Sequence, residues 1–329
     1  MQGGLFGVKR LDAGAPVFSC TVEDSVPSGL RLDRYISEYL KILTRSQIKA
    51  RKLKALLNGK TVKISRPLKG GDRLELSWLE AESPYLVPQN LPLDIIYEDD
   101  RVIVLNKAQG MVVHPGAGNR QGTLANALLY RSIEKFSRGH AGEEMDMRIA
   151  ETGSFRPGIV HRLDKDTSGV MIAAWDDEAL AFLSGQFKVR KVRKTYAALV
   201  HGNPKEKQGC IDKKIIRSVR DRKTFTVSDK EGRPSLTYFC LVRSFENYSL
   251  LLLRPKTGRT HQLRVHLKYL GNPILGDPIY GRADPYFPKA GLMLHAKSLS
   301  LVLPGQKERK KFRTALPDRF KEIIRVLGK

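Results

Sequence analysis

The sequence predicts a chain of mixed helix and strand folded as two domains, and three observations carry the prediction. Pairs of short apolar runs meet through turns at Asn58-Gly59, Glu98-Asp99-Asp100 and Phe245-Glu246-Asn247, a pattern of strands laid antiparallel. Stripes at helical spacing lie between them, as in Leu32, Tyr35, Ile36, Tyr39 and Leu40. A break with Pro84, Pro88 and Pro92 separates two periodic regions, and 329 residues suffice for two cores.

Taken in order, residues 1 to 27 mix Gly, Pro and small side chains without periodicity and predict an irregular N-terminal extension. Residues 28 to 80 open with the helix just described. Thr44 or Ser46 then caps a second, which brings five cations, Arg45, Lys49, Arg51, Lys52 and Lys54, into ten residues. Leu56 and Leu57 enter the Asn-Gly turn, Val62 to Ile64 return from it, and Gly70-Gly71-Asp72 opens a last strand over 74 to 76. Residues 81 to 92 form the linker.

The second domain, 93 to 329, begins with a hairpin over 93 to 97 and 102 to 105. Thr123 caps a helix through Leu124, Ala127, Leu128 and Tyr130, and a polar stretch over 132 to 157 reads as a loop. Asp176 and Asp177 open a helix through Leu180, Leu183 and Phe187, and residues 194 to 202 read as a strand. Two further strands follow over 236 to 242 and 248 to 253, and Leu263, Leu267 and Leu270 mark a buried helical stripe.

Chemistry concentrates in one stretch, His161-Arg162-Leu163-Asp164-Lys165-Asp166-Thr167-Ser168-Gly169. The apolar runs 158 to 160 and 170 to 174 flank it, so polar groups sit on a connection between two buried strands, where rigid scaffolds present reactive side chains. Asp164 lies between the cations Arg162 and Lys165, an arrangement that favours its ionised form. Asp166 through Gly169 read as turn chemistry. By itself the stretch is equally a charged surface turn.

The full string resembles the HRLDxxTSG signature of the RluA family of pseudouridine synthases, whose aspartate is catalytic. Three more strings resemble that family's motifs in its order: Asn106-Lys107 with Gly110 to Pro115, Lys194 to Gly202 around Tyr196, and Gly258-Arg259-Thr260-His261-Gln262-Leu263-Arg264-Val265-His266. A Gly276-Asp277-Pro278 and Tyr280-Gly281 string, also carried by the family, reads here as a structural turn. The resemblance implies an α+β fold, with a bent, mixed but mainly antiparallel sheet crossed by a cleft. It implies Asp164, Tyr196 and Arg264 as catalytic residues, with Arg264 paired to Asp164 and Tyr196 against the target base. It further implies that His161, Arg162, Leu163, Arg259, His261 and Gln262 bind substrate. Residues 29 to 78 resemble the compact RNA-binding module named the S-four domain, which implies RNA contacts at the five N-terminal cations.

Charge is consistent with that partner. The formal net charge of +24 gathers in three segments: residues 28 to 80 with 13 basic and 5 acidic residues, 186 to 223 with 13 and 3, and 297 to 329 with 10 and 3. Patches of this kind on a near-neutral body suit a polyanion. No long apolar run or basic amphipathic helix favours a membrane, and no hydrophobic N-terminal core suggests a secretory signal. Three widely spaced cysteines argue against disulfides and a cysteine-rich zinc site, and a reducing cytoplasm is expected. His261 and His266 lack an HExxH setting, so no metal is expected, and no phosphate loop or dinucleotide fingerprint calls for a cofactor.

The expected reaction is isomerisation of uridine to pseudouridine within structured RNA by a monomer. The RluC/RluD-like strings imply large-subunit ribosomal RNA, with transfer RNA as the alternative. Asp164 either attacks the anomeric carbon or removes a neighbouring sugar proton. Arg162 is expected to fill the space left by a flipped base, or else to contact phosphate. Two other classes compete: a non-catalytic RNA-binding or ribosome-assembly protein, and a glycoside or nucleoside hydrolase. The hydrolase would require a second carboxylate facing Asp164 across the sugar, and none is evident.

Overall fold

The computed structural model describes residues 8–10, 16–45, 48, 51–78, 86–116, 118–136, 158–219, 221 and 224–328. The chain divides into two compact units, Met1–Tyr85 and Leu86–Lys329.

In the first unit, β1 (Val8–Arg10), β2 (Pro16–Thr21), β3 (Lys54–Leu57), β4 (Lys60–Val62) and β5 (Arg73–Ser77) form one antiparallel sheet in the order β1-β2-β5-β3-β4. Asn58 and Gly59, at φ 51° and 76°, make the tight β3–β4 turn that the Asn-Gly pair predicts. Two expectations are corrected here. Residues 16–21, read as irregular, pair with β5 so that Phe18 lies opposite Leu76 and Cys20 opposite Leu74. Phe18, Ser19, Cys20, Thr21 and Val22 alternate apolar and polar side chains, and Phe18 and Val22 are buried in the unit's core.

The five cations, in turn, do not share one helix. Arg45 and Ile48 are helical, Arg51 and Lys52 lie in a turn with Lys52 at φ 47°, and Lys54 opens β3. Lys49 lies outside the described residues. The reason is packing: Ala55 and Leu57 alternate into the core, which draws the chain into strand before the cationic run ends. The first helix forms as predicted over Leu32–Arg34 and closes with a wide π turn over Tyr35–Tyr39, burying Leu32, Tyr35 and Ile36.

The second unit is α+β. Its sheet runs β11 (Gln208–Asp212), β14 (Leu236–Ser244), β15 (Tyr248–Pro255), β10 (Arg193–His201), β16 (Leu294–Val302), β9 (Ser168–Ala174), β7 (Val102–Lys107) and β6 (Ile95–Glu98), with β8 (Gly158–Ile159) on β9 and β17 (Arg309–Arg313) on β16. A separate hairpin, β12 (Lys214–Arg217) and β13 (Phe225–Ser228), stands beside it. Every pairing among the described strands is antiparallel except β16 with β9, which is parallel through only His295–Ser168 and Ala296–Gly169. That brief junction brings the start of β9, and the connection before it, to the middle of the sheet.

Helices cover the sheet where its faces are apolar. Leu124–Phe136 is capped reciprocally: the Thr123 amide donates to Asn126 Oδ1 at 3.0 Å and the Asn126 amide to Thr123 Oγ1 at 3.4 Å. Leu124 and Leu128 pack on Leu105, Met171 and Leu163. Asp176 caps Asp177–Lys188 by accepting from the Ala179 amide, and Ala179 and Leu183 pack on Val104 and Ile172 across the opposite face. The polar stretch expected over 132 to 157 begins as the last turn of the first of these helices, and residues 137 to 157 lie outside the described residues. No helix among the described residues is long and apolar enough to cross a membrane.

Gly169 permits the parallel junction: at φ 121° it lies against Ala296, and a Cβ there would run into the Ala296 backbone. Gly169→Ala is expected to destabilise the protein by about 2 kcal/mol or more, because sterics and backbone strain act together. Gly185, inside Asp177–Lys188 with open space around it, is the control, and Gly185→Ala is expected to stabilise by about 0.5–1 kcal/mol. Urea unfolding of both variants checks the contrast, and equal midpoints would refute it.

Candidate active site

The connection from β8 to β9 carries the first part of the site and is held from behind. Lys107, 1% exposed at the end of β7, donates to the carbonyls of Ala108, Met111 and Lys165 at 2.8, 2.8 and 3.0 Å. Burial lowers its pKa to about 8, opposed by the charges of Asp166 and Asp164. The Gly110 amide also binds the Lys165 carbonyl, and the Thr167 amide closes a turn on the Asp164 carbonyl. Leu163 is buried in the core under the loop. The backbone on both sides of Asp164 is therefore fixed, while its side chain, 23% exposed, faces a cavity.

His161 anchors the other end of the loop. Its ring stacks on Phe187 at 4.7 Å, and the Ile172 amide donates to its Nε2 at 3.2 Å. Burial, with the charge of Lys194, holds its pKa down at about 3, so the ring is neutral and able to accept that bond. His161 thus supports the loop with a ring nitrogen already engaged. Arg162, by contrast, is exposed at the cavity rim.

The facing wall comes from the segment after β15. Gln262 opens the helix Gln262–Tyr269, and its amide is fully used: Oε1 accepts from Thr257 Oγ1 and the Arg259 amide, and Nε2 donates to the Leu236 carbonyl and Thr237 Oγ1. It shapes the 257–262 turn, with its side-chain amide engaged within the protein, and lines the cavity. Arg259, half-buried, lines the cavity.

Arg264 is 4% exposed, and its main partner is not the expected one. Nε and Nη2 bind Asp277 Oδ2 and Oδ1 at 2.8 and 2.6 Å, whereas Nη1 reaches Asp164 Oδ2 only at 3.5 Å. Asp277, read from sequence as a structural turn, does serve its turn, accepting the Ile279 and Tyr280 amides at 2.9 and 3.0 Å. The same carboxylate takes up the guanidinium fork. Burial pushes the Asp277 carboxyl up, but the hydrogen bonds and charge of Arg264, with the two amides, outweigh it and hold the pKa below the usual range.

His261 sits at the helix start in the left-handed region, φ 55°, with Nδ1 2.8 Å from Tyr280 Oη and Nε2 4.0 Å from Asp164 Oδ2. The Tyr280 oxygen also accepts the Phe225 amide at 2.9 Å, which fixes the phenol beside the imidazole. Burial lowers the His261 pKa against the opposing charge of Asp164, which favours the neutral ring. Tyr196 projects from β10; burial and the Asp164 charge both raise its pKa, so the phenol stays protonated.

All nine residues expected from sequence in the catalytic and substrate-binding sets line one cavity of about 460 Å³, within the range of small-molecule sites. The structure adds Asp277, Tyr280 and Lys107 as supports that sequence reasoning did not single out for the site. The available signals were the Gly276-Asp277-Pro278, Tyr280-Gly281 and Asn106-Lys107 strings. The five N-terminal cations belong to the other unit.

Comparison with known proteins gives this site its class. Residues 101–269 match the family described as RNA pseudouridylate synthase. The chain is 46% identical over 299 residues to ribosomal large subunit pseudouridine synthase D of Borreliella burgdorferi, covering 89% of this chain and 88% of that one. It is 36% identical over 321 residues to the protein of the same name from Xanthomonas campestris pv. campestris, covering 93% and 91%. Among solved structures it resembles human RNA pseudouridylate synthase domain containing 4 with a TM-score of 0.54 at 25% identity, over 71% of this chain and 93% of that one. The chain belongs to the RNA pseudouridylate synthase family. Within it, this is a pseudouridine synthase of the RluA/RluD type, an isomerase acting on RNA.

Two outcomes follow from the buried charges. Asp277→Ala strands the Arg264 guanidinium with only its long contact and is expected to cost about 3–5 kcal/mol, read as a lower urea midpoint; a loss below about 1 kcal/mol would contradict the pairing. His161, His266 and His295 have folded pKa values of about 3, 4 and 4, lowered mainly by burial from 6.5. Between pH 4 and 6.5 the unfolded chain therefore binds more protons than the folded one, so stability falls as pH drops through that window. Thermal midpoints at pH 7, 5.5 and 4.5 are expected to decrease in that order, and a flat profile would refute neutral buried imidazoles.

Proposed function

We propose that this enzyme converts specific uridines of large-subunit ribosomal RNA to pseudouridine in the cytoplasm, with Asp164 as the catalytic carboxylate. The observation that carries the reading is that, among the described residues, Asp164 is the one acidic side chain lining a cavity otherwise bordered by cations, histidines, a tyrosine, uncharged polar residues and apolar groups. The ribosomal target is supported by the names of the Borreliella and Xanthomonas relatives, which match this chain along most of its length.

In the reaction the bond from the ribose anomeric carbon to ring nitrogen 1 breaks, and a bond from the same carbon to ring carbon 5 forms. The proton on carbon 5 is lost and nitrogen 1 gains one, so composition is unchanged and no redox partner is required. Asp164 either adds to the anomeric carbon or removes a neighbouring sugar proton. Arg264 Nη1, 3.5 Å from Asp164 Oδ2, stabilises its negative charge without closing on it, and His261 Nε2 stands 4.0 Å from the same oxygen. Tyr196, held as a neutral phenol, offers a face for the uracil and a hydrogen-bond donor, and does not serve as a phenolate base.

A uridine within folded RNA reaches Asp164 only after leaving its stack, at a cost of a few kcal/mol. Arg162, exposed on the rim two residues before Asp164, takes the vacated space. The cationic segments bind the RNA backbone. Replacing Arg51, Lys52 and Lys54 together by Gln is expected to reduce the slope of log affinity against log salt by about 2. Turnover at saturating RNA should stay unchanged; a fall in turnover with an unaltered slope would contradict this division.

Pseudouridine mapping across ribosomal and transfer RNA, from cells with and without this protein, tests the substrate assignment. Loss of specific large-subunit sites is expected. Loss confined to transfer RNA would reassign the substrate, and release of free uracil from RNA would replace isomerisation by hydrolysis.

A further inference from the structure

Within the same cavity lies a partly buried cation that the reaction as described does not use. Lys194 stands two residues before Tyr196 on β10, and both side chains line the cavity. Its ammonium makes no hydrogen bond and no ion pair among the described residues. Burial alone lowers its pKa, whereas the charge of Asp164 acts on Tyr196, His261 and Arg264. Lys194 instead presses on His161, and its Nζ lies 3.6 Å from where a Cβ on Gly258 would stand. The cavity thus holds a carboxylate held by Arg264 and, apart from it, an ammonium with no partner among the described residues.

A desolvated ammonium without a counter-charge is destabilising, and the fold gains nothing from it before a ligand arrives. The cavity offers it no protein counter-ion: Lys188, Arg190, Lys256 and Arg259 also line it, and among the described residues Asp164 is its only carboxylate. Gly258 leaves room beside Nζ for a ligand atom. An anion of compact, tetrahedral shape suits a point-charge donor in such a place. The RNA backbone supplies one on either side of every nucleotide, at a distance from the anomeric carbon set by the ribose.

We propose that Lys194 is the anchor of a phosphate subsite that binds one phosphodiester flanking the target uridine and so sets the anomeric carbon against Asp164. The proposal rests on the reading that this cavity receives the target nucleotide. It separates Lys194 from the surface cations, because a contact inside the cavity fixes one phosphate where surface contacts raise general affinity.

The test uses the full-length enzyme and a synthetic RNA carrying a uridine located by the mapping above, with the two flanking phosphodiesters replaced one at a time by uncharged methylphosphonate. Conversion of the unmodified RNA by the wild-type enzyme establishes the cavity's function independently. Lys194→Met is expected to lower single-turnover kcat/KM on unmodified RNA roughly 10- to 100-fold, as loss of one charged hydrogen bond. One of the two methylphosphonates should impose a similar loss on the wild type and less than a twofold further loss on Lys194→Met. Lys194→Arg should recover part of the rate on unmodified RNA, and the thermal midpoint of Lys194→Met should equal or exceed that of the wild type. A rate for Lys194→Met within threefold of wild type, or losses that multiply at both linkages, would overturn the proposal. Wild-type indifference to both methylphosphonates would overturn it without any variant.

Discussion

The site depends on how a fully buried guanidinium is neutralised. Arg264 is almost inaccessible to water, and an arginine cannot shed its proton to escape the cost, so a carboxylate must meet it. Asp277 does so through both oxygens, at the two geometries a guanidinium fork favours. With its strong contacts spent there, Arg264 touches Asp164 only at 3.5 Å. A tight bidentate pair would have consumed the Asp164 oxygens. The longer contact supplies positive potential while leaving them open to the cavity, as a group that must react requires.

The remaining geometry keeps that carboxylate in place. Lys107 ties three carbonyls together behind the loop, Leu163 plugs into the core, and Gly169 lets β9 meet β16 where a larger residue would not fit. On the far wall Gln262 saturates itself on the 257–262 turn, and Tyr280 holds the His261 ring through its Nδ1. These are backbone and side-chain constraints, set before any RNA binds. They restrict Asp164 to small displacements, and preorganisation of this kind is worth more to a transition state than additional contacts made on binding.

The sequence was most legible where chemistry and local pattern coincide. The reactive loop stood out because two apolar runs bracket a dense set of polar residues, and the strands and helices beside it formed where periodicity placed them. Tyr196 and Arg264 were different: a tyrosine in a strand and an arginine beside a helical stripe read as ordinary core and edge residues, and only the family resemblance marked them. Asp277 was missed as a partner because its turn role is local and complete, whereas its ion pair depends on how deeply Arg264 is buried 13 residues earlier. Burial of that kind is decided by tertiary packing. In the first unit, the 16–21 strand was passed over although it alternates, because no turn signal pairs it with a neighbour and its partner, β5, lies over fifty residues on. The cationic run carries a cap and charge that favour a helix, whereas the alternation that begins at Ala55 ends it in strand.

The central claim is that the Asp164 carboxylate performs the chemistry while the rest of the cavity binds and orients. Asp164→Asn preserves shape and volume and removes only the charge and the nucleophilic oxygen, so it separates the two functions in one protein. The decisive measurement is pseudouridine formation by this variant under single-turnover conditions, beside its affinity for the same RNA. The account predicts no detectable product over many wild-type half-lives, with Kd within a few-fold of wild type. Product formed at a measurable fraction of the wild-type rate by the pure variant would contradict it.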